Sequence, residues 1–235
     1  PSFFFRHPEN FPEEAFNSPD VDLIVLSEGE IVIRNVINAL GSEEALKKVK
    51  GIWFKTSSGE IIRNEKEGLA DNIDIFPPPA IDLFEMEKYF PPVHIRGKKV
   101  THIMTTRGCP FKCTFCETKL TFGRSFRYHS RERVISEMEG LIDSGFKSFQ
   151  FYDDIFTANK EIVEDLCKRI LEKGWKIEWT CFTRTDCIDR KLLKLMKKAG
   201  CYLISFGTES GDDLLLENIS KHLTVNDIFK GVQLT

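Results

Sequence analysis

Strand-like and helix-like stretches alternate along the chain from residue 100 onward. The strand-like runs cover 100–106, 148–152, 177–182 and 202–206. Apolar positions at helical spacing follow each of them, with N-caps predicted at Ser130, Asp189 and, for a last helix, Thr224. Four successive strand–helix units predict a parallel sheet, and ligands of such sheets collect at the carboxyl ends of the strands.

The first hundred residues have a different pattern. The run 20–26 is apolar enough to form a buried strand, and apolar positions at helical spacing follow from Val32 to Leu40. Two further short runs, 51–55 and 60–63, predict a hairpin because a Ser-Ser-Gly turn separates them. We therefore expect a small α/β region before the parallel sheet.

Prolines separate these two regions. They are concentrated at 77–79 and 91–92, where a fixed φ angle and a missing N–H exclude regular structure. The predicted domains are the C-terminal part of an α/β domain at 1–76, a proline-rich linker at 77–99 and a truncated α/β core at 100–235.

Composition narrows the class of protein. The 235 residues are 41% hydrophobic and 29% charged with a net charge of −3, so no evident nucleic-acid patch is expected. No apolar run approaches the roughly 18 residues that a membrane span needs. The odd number of cysteines, seven, predicts a reducing compartment, the cytoplasm. The chain starts with Pro1 and its last helical pattern stops abruptly, so we expect a fragment of a longer protein.

Three cysteines fall within eight residues, at Cys109, Cys113 and Cys116. Thiolates select iron–sulfur clusters, zinc or Cu(I), and a [4Fe–4S] cluster normally takes four cysteines, so a trio leaves one iron open. Structural zinc is an alternative, but it usually needs a second Cys or His pair, and His102 and His129 are single. Inert buried thiols are a further alternative, disfavoured by the Gly, Pro and Lys residues around the trio.

This spacing, with Phe115 directly before the last cysteine, resembles the radical S-adenosylmethionine (radical SAM) superfamily. The resemblance implies an α/β fold with a partial (β/α)6 barrel, of which about four units are present. It also implies a [4Fe–4S] cluster on Cys109, Cys113 and Cys116. The open iron of such a cluster chelates S-adenosylmethionine, and an electron from the cluster cleaves the sulfonium to a 5′-deoxyadenosyl radical.

The N-terminal region resembles, more weakly, the last third of the Rossmann-like cobalamin-binding domain that precedes many radical SAM cores. The similarity lies in the strand before Glu28-Gly29-Glu30, the next strand and the proline-rich bridge. Ser27 stands where a glycine is common, and the Asp-x-His-x-x-Gly loop that ligates cobalamin is absent. Cobalamin is therefore implied as a possible cofactor whose ligating loop this chain lacks.

The resemblance assigns cofactor-binding roles to residues at strand ends. Of Asp153 and Asp154, one would receive the methionine ammonium and the other would cap the next helix, and the alternative is that they only cap that helix. Arg184 would pair bidentately with the methionine carboxylate, and its alternative is a solvated surface residue. Glu209, in Gly-Thr-Glu-Ser-Gly, would hydrogen-bond the ribose or ammonium, unless it caps the following helix. Phe115 would shield the cluster beside the adenine, and its alternative is an ordinary core aromatic.

The predicted function is that of an enzyme that starts radical chemistry, with an electron donor such as a flavodoxin or ferredoxin as partner. Methyl transfer is the favoured reaction, with methylthiolation and radical cyclisation as alternatives and the substrate unknown. The rival class is a non-catalytic zinc- or iron–sulfur-binding module. Four cysteines lack metal spacing and are expected to be packing residues: Cys167, Cys181, Cys187 and Cys201.

Overall fold

The computed structural model describes residues 12–26 and 28–235, which form two compact units. The N-terminal unit comprises the described residues up to Asp71 together with Cys116–Ser125, and the remainder forms the C-terminal unit. The predicted linker, 77–99, lies within the C-terminal unit, and its role as a boundary between domains stays a prediction. Ser27 lies outside the described residues.

The N-terminal unit contains a small antiparallel sheet. Its helices and strands are α1 (Pro12–Ala15), β1 (Leu23–Val25), α2 (Gly29–Ala39), α3 (Glu43–Leu46), β2 (Ile52–Lys55) and β3 (Ile61–Arg63). The predicted hairpin is confirmed, since β2 and β3 pair antiparallel, and β1 pairs antiparallel with the other edge of β2. Val32 and Val36 of α2 pack with Ile52 and Phe54 of β2, which gives this unit its own core.

The rest of the chain alternates strands and helices as predicted. Its elements, of which α4 belongs to the N-terminal unit, are β4 (Val100–Ile103), β5 (Thr106–Arg107), α4 (Thr118–Thr121), β6 (Arg127–Tyr128), α5 (Arg131–Asp143), β7 (Ser148–Phe151), α6 (Lys160–Glu172), β8 (Glu178–Thr183), α7 (Arg190–Lys198), β9 (Cys201–Phe206), α8 (Asp213–Asn218) and α9 (Val225–Gln233). Strands β4, β7, β8 and β9 form a parallel sheet in that order. This confirms the α/β class with four βα units. No helix in the described part of the chain is long and apolar enough to cross a membrane.

Short polar side chains close the first turns of the helices. The side chains of Ser130, Asp189 and Thr224 each accept a hydrogen bond from a backbone N–H of the first turn, which confirms the three predicted caps. Asn159 caps α6 in the same way. These caps satisfy N–H groups that have no partner within the helix, and they set where each helix starts.

One hydrophobic core joins the parallel sheet to α5, α6 and α7. Phe149, Phe151 and Trp179 are fully buried, and the rings of Phe151 and Trp179 meet edge to face at 5.2 Å between centroids. Gly200 enters β9 with a φ angle of 103°, where a Cβ would lie 2.2 Å from the carbonyl oxygen of Ile177. Only glycine allows this approach of two backbones, which fixes β9 against β8.

The first strand of the sheet is shorter than predicted. β4 ends at Ile103, and Thr106 pairs with Tyr128 in a separate antiparallel ribbon of β5 and β6. The reason is that the backbone N–H groups of Thr105 and Thr106 both donate to the side chain of Asp153, which draws the backbone out of the sheet. The ribbon leads directly into the segment that carries the cysteines.

Candidate cofactor site at the carboxyl ends of the strands

The cysteine segment begins immediately after β5. Cys109, Cys113 and Cys116 are half-buried, and none of the chain's seven cysteines forms a disulfide. Cys109 and Cys113 belong to the C-terminal unit, and Cys116 to the N-terminal unit. The three thiols fit an iron–sulfur cluster in donor chemistry. Within the described residues, no three His, Cys, Asp or Glu side chains are gathered so that they could hold a metal ion, so the metal assignment rests on spacing and donor type.

Asp153 is a buried carboxyl that ties the end of β7 to the start of the cysteine segment. Its Oδ1 accepts hydrogen bonds from the backbone N–H of Thr105 at 2.8 Å and from the hydroxyls of Thr105 and Thr106 at 3.0 and 2.6 Å. It also accepts from the backbone N–H of Thr106. Burial raises the pKa of Asp153 to about 6, although these hydrogen bonds oppose the increase. Its position supports a structural role at the root of the cysteine segment.

Asp154 is exposed, in contrast to its neighbour. The expectation that Asp153 or Asp154 caps the next helix is wrong, because Asn159 caps α6. The backbone N–H of Phe156 donates to the carbonyl of Phe182 at 2.9 Å and the Phe156 side chain is buried, so the chain follows β8 for several residues before the helix can start. Asp154 is thus left at the carboxyl edge of the sheet, exposed to solvent.

Arg184, directly after β8, is almost completely buried, with 3% of its surface exposed. The alternative of a solvated surface arginine is therefore wrong. Its Nε and Nη2 donate to the two oxygens of Asp186, both at 2.9 Å, and Nη2 also donates to the carbonyl of Lys221 at 3.0 Å. A bidentate carboxylate ligand would use Nη2 together with either Nε or Nη1, and the contacts with Asp186 and Lys221 already occupy Nη2. Nη1 is buried and has no hydrogen-bond partner among the described residues.

The guanidinium of Arg184 also lies against the cysteine segment. Its central carbon is 3.9 Å from the centroid of the Phe111 ring, between the first two cysteines of the trio. Burial by itself would lower the pKa of Arg184, but hydrogen bonding and the charge of Asp186, with smaller effects of Cys187 and Cys113, raise it above its usual value. Arg184 therefore stays positively charged against Phe111 and close enough to Cys113, a proposed cluster ligand, to interact with it electrostatically.

Glu209 forms an ion pair that the sequence does not reveal. Its Oε1 is 3.1 Å from Nζ of Lys221, whose side chain is 6% exposed. Glu209 has a φ angle of 62°, and a Cβ at Gly207 would lie 2.9 Å from the Glu209 carboxylate, so the turn folds the acid back over the end of β9. The alternative that Glu209 caps α8 is wrong, since Asp212 does so.

Phe115 is 52% exposed, so the alternative of a core aromatic is wrong as well. An exposed ring inside the cysteine segment is available to a ligand. That Phe115 lies beside the adenine stays a prediction.

A row of polar and aromatic side chains on the sheet was missed by sequence reasoning. His102 of β4 and Gln150 of β7 pair across the strands, with Nε2 and Oε1 3.0 Å apart. The rings of His102 and Tyr152 meet at 5.3 Å and those of Tyr152 and Phe182 at 5.6 Å, both edge to face. Because side chains alternate along a strand, this row lies on the face opposite the buried phenylalanines of β7. The signal was present in β7, where the polar residues Ser148 and Gln150 alternate with Phe149 and Phe151.

Known proteins resemble the chain along most of its length. The profile of the Radical SAM superfamily matches residues 103–234. An uncharacterized methyltransferase of Pyrococcus horikoshii is 38% identical over 207 residues, which cover 88% of this chain and 44% of that protein. The anaerobic magnesium-protoporphyrin IX monomethyl ester cyclase of Rubrivivax gelatinosus is 30% identical over 233 residues, 95% of this chain and 41% of that protein.

A solved structure shares the fold. The cobalamin-dependent S-adenosylmethionine radical enzyme OxsB, with aqua-cobalamin and S-adenosylmethionine bound, is 25% identical and aligns with a TM-score of 0.80. The alignment covers 97% of this chain and 34% of that chain. The chain thus spans less than half the length of the curated relatives it matches.

Proposed function

The chain belongs to the radical SAM superfamily, and we propose that it binds one [4Fe–4S] cluster through Cys109, Cys113 and Cys116 and cleaves S-adenosylmethionine reductively. The observation that carries the proposal is the thiol trio at this spacing inside the matched region. The relatives are enzymes, named as a methyltransferase and a cyclase, so the chain is part of an enzyme and not of a non-catalytic module.

The chain's own residues would hold the cofactor at the carboxyl edge of the sheet. When bound, the cluster supplies the electron that cleaves the sulfonium to methionine and a 5′-deoxyadenosyl radical. Asp154 offers an exposed carboxylate to the methionine ammonium, and Glu209 offers a partly exposed one. The Asp153 carboxyl, by contrast, is buried against two threonines. Arg184 offers the methionine carboxylate a single free nitrogen, Nη1. Phe115 offers an exposed ring to the adenine.

Methyl transfer is the reaction we propose, with radical cyclisation as the second candidate. The Pyrococcus relative is named a methyltransferase, and the Rubrivivax relative a cyclase. OxsB, which aligns along nearly the whole chain, holds cobalamin. Cobalamin is therefore a possible further cofactor of the complete protein, although this chain lacks the Asp-x-His-x-x-Gly loop. Methylthiolation stays a third possibility.

The reductive step needs an electron donor. We propose a small one-electron carrier such as a flavodoxin or ferredoxin, and a reducing compartment such as the cytoplasm, where seven thiols stay reduced.

Anaerobic reconstitution with iron and sulfide, followed by reduction with dithionite and addition of S-adenosylmethionine, tests the proposal. We expect a brown protein with about four iron atoms per chain that releases 5′-deoxyadenosine. Cys113→Ala should lose both properties, and Cys187→Ala, which removes a half-buried thiol outside the trio, should keep both. A colourless protein with stoichiometric zinc would contradict the proposal.

The reaction type needs the full-length protein and a candidate substrate. Methyl transfer from S-adenosylmethionine leaves S-adenosylhomocysteine as a second product beside 5′-deoxyadenosine. Cyclisation gives 5′-deoxyadenosine without S-adenosylhomocysteine. The ratio of the two products therefore separates the two candidates.

A further inference from the structure

We propose that Arg184 is a positioning residue that clamps the cysteine segment through the ring of Phe111. Its guanidinium nitrogens then do not bind a cofactor carboxylate bidentately. The inference rests on the proposed function only in that the clamped segment carries the cluster ligands. It reassigns an arginine whose family motif implies carboxylate binding.

The first support is the way Arg184 itself is held. Asp186 accepts from Nε and Nη2, and the Lys221 carbonyl accepts from Nη2 as well. Three hydrogen bonds in one plane fix the orientation of the guanidinium, which therefore presents a flat face and cannot rotate to meet a second carboxylate with its fork. A flat, fixed cation is suited to stacking on a ring.

The second support is the position of Phe111. The ring centroid lies 3.9 Å from the guanidinium carbon, well inside the distance at which a cation is attracted to an aromatic face. Because Arg184 is almost completely buried, water competes little for the charge, and the contact is of the stronger, desolvated kind. Phe111 is itself half-buried, so packing into a core does not account for its place.

The third support is a second anchor on the same segment. The backbone N–H of Thr114 donates to the carbonyl of Ile219 at 3.0 Å, and Lys221, two residues further, provides the carbonyl that holds Arg184. The segment is thus fixed on both sides of Cys113, by Phe111 and by Thr114. Both anchors lead to the turn after α8.

This geometry leads to three expectations about substitutions of Phe111 and Arg184. Loss of the ring or of the planar cation should loosen the segment around Cys113. An aromatic replacement should preserve the clamp, and an aliphatic one of similar volume should not. The two residues should act as one unit, so their effects should not add.

Hydrogen–deuterium exchange of the amides of residues 111–115, among them the Thr114 N–H that donates to the Ile219 carbonyl, tests the clamp in the full 235-residue chain without iron. We expect Phe111→Leu and Arg184→Lys each to speed exchange about five- to thirty-fold, and the double variant to be no faster than the faster single one. Phe111→Tyr should keep wild-type protection. Arg63→Lys is the matched control, because Arg63 stacks on Trp53 at 4.9 Å in the N-terminal unit, and it should leave the exchange of residues 111–115 unchanged.

A second measurement follows iron retention after reconstitution, which should fall in Phe111→Leu and stay normal in Phe111→Tyr. If circular dichroism shows that Arg184→Lys is unfolded, the comparison of the Leu and Tyr variants of the half-buried Phe111 is sufficient to test the clamp. Wild-type protection in Phe111→Leu, or equal loss in Phe111→Leu and Phe111→Tyr, overturns the clamp. A loosened segment in Phe111→Leu together with a wild-type chain that binds no iron would leave the clamp standing and refute the proposed function.

Discussion

The two compact units differ in where they keep charge. In the N-terminal unit, the ion pair of Lys47 with Glu44 lies on the surface, with side chains 43% and 78% exposed. In the C-terminal unit, Asp153, Arg184 and Lys221 stand next to the carboxyl ends of strands or in the turn that meets them, and each is at most 5% exposed. Burying a charge is unfavourable unless hydrogen bonds and opposite charges compensate, so three such residues at one edge of a sheet mark that edge as a candidate functional site.

A single buried charge does not make a site. Glu28, in the N-terminal unit, is 6% exposed and accepts a hydrogen bond from the backbone N–H of Ala70 at 3.0 Å. It fastens a loop within its own unit, as Asp153 fastens Thr105 and Thr106. The C-terminal unit differs in that three buried charged residues, Asp153, Arg184 and Lys221, all border the carboxyl edge of the parallel sheet.

The largest effect is expected from Asp153→Ala. The change leaves the buried N–H groups of Thr105 and Thr106 without an acceptor and should lower the free energy of unfolding by about 4 kcal/mol. Glu44→Ala, at the exposed pair of the other unit, should change it by no more than about 0.5 kcal/mol. Urea denaturation of both variants measures the difference, and similar losses would remove the distinction between the two units.

A smaller effect is expected at the ion pair of Glu209 with Lys221, and it should be asymmetric. Glu209→Gln leaves a buried ammonium without its carboxylate and should lower the free energy of unfolding by about 2 kcal/mol. Lys221→Met replaces the buried charge by an apolar chain of similar length, and the remaining Glu209 is partly solvated, so the loss should stay below about 1 kcal/mol. Equal losses by thermal or urea unfolding would mean that Lys221 is better solvated than its burial indicates.

One carboxyl in each unit should respond to pH in the direction opposite to the other. Burial raises the pKa of Asp153 to about 6 from a usual value of 3.8. Between these values the folded protein keeps a proton that the unfolded chain has released, so this residue's contribution to stability is present below about pH 4 and is lost as the pH rises through 6. Glu43, in the N-terminal unit, has its pKa lowered by hydrogen bonds from Ser57, and its contribution is lost as the pH falls.

Stability of the wild type and of Asp153→Asn at pH 4.5 and pH 7 isolates the first of these contributions. The wild type should lose about 2 kcal/mol relative to the variant between the two pH values, because only the wild-type carboxyl titrates. A constant difference across this range would show that Asp153 is ionised throughout.

Local signals predicted much of the fold. The caps at Ser130, Asp189 and Thr224 were predictable because each depends on a side chain and an N–H of the same turn. The strands of the parallel sheet were predictable from apolar runs between turn residues. The start of α6 was predicted less well, since Asp154 and Asn159 are both good caps and the choice depends on the contact of Phe156 with β8.

The site was only partly predictable, because its contacts join residues distant in the sequence. The spacing of the cysteines and the motifs around Arg184 and Glu209 are visible in the sequence. That Arg184 donates to the Lys221 carbonyl and covers Phe111, and that Glu209 pairs with Lys221, depends on how β8, β9 and the turn after α8 meet. The sequence shows which groups are present, and the folded chain shows which of them are already engaged.

The central proposal is that Cys109, Cys113 and Cys116 bind a [4Fe–4S] cluster with one open iron. Electron paramagnetic resonance of the reduced, reconstituted chain, recorded with and without S-adenosylmethionine, tests it most directly. The account predicts the signal of a reduced [4Fe–4S] cluster that shifts when S-adenosylmethionine is added and disappears in Cys113→Ala. A cluster signal that S-adenosylmethionine leaves unchanged, or one that persists in Cys113→Ala, would contradict it.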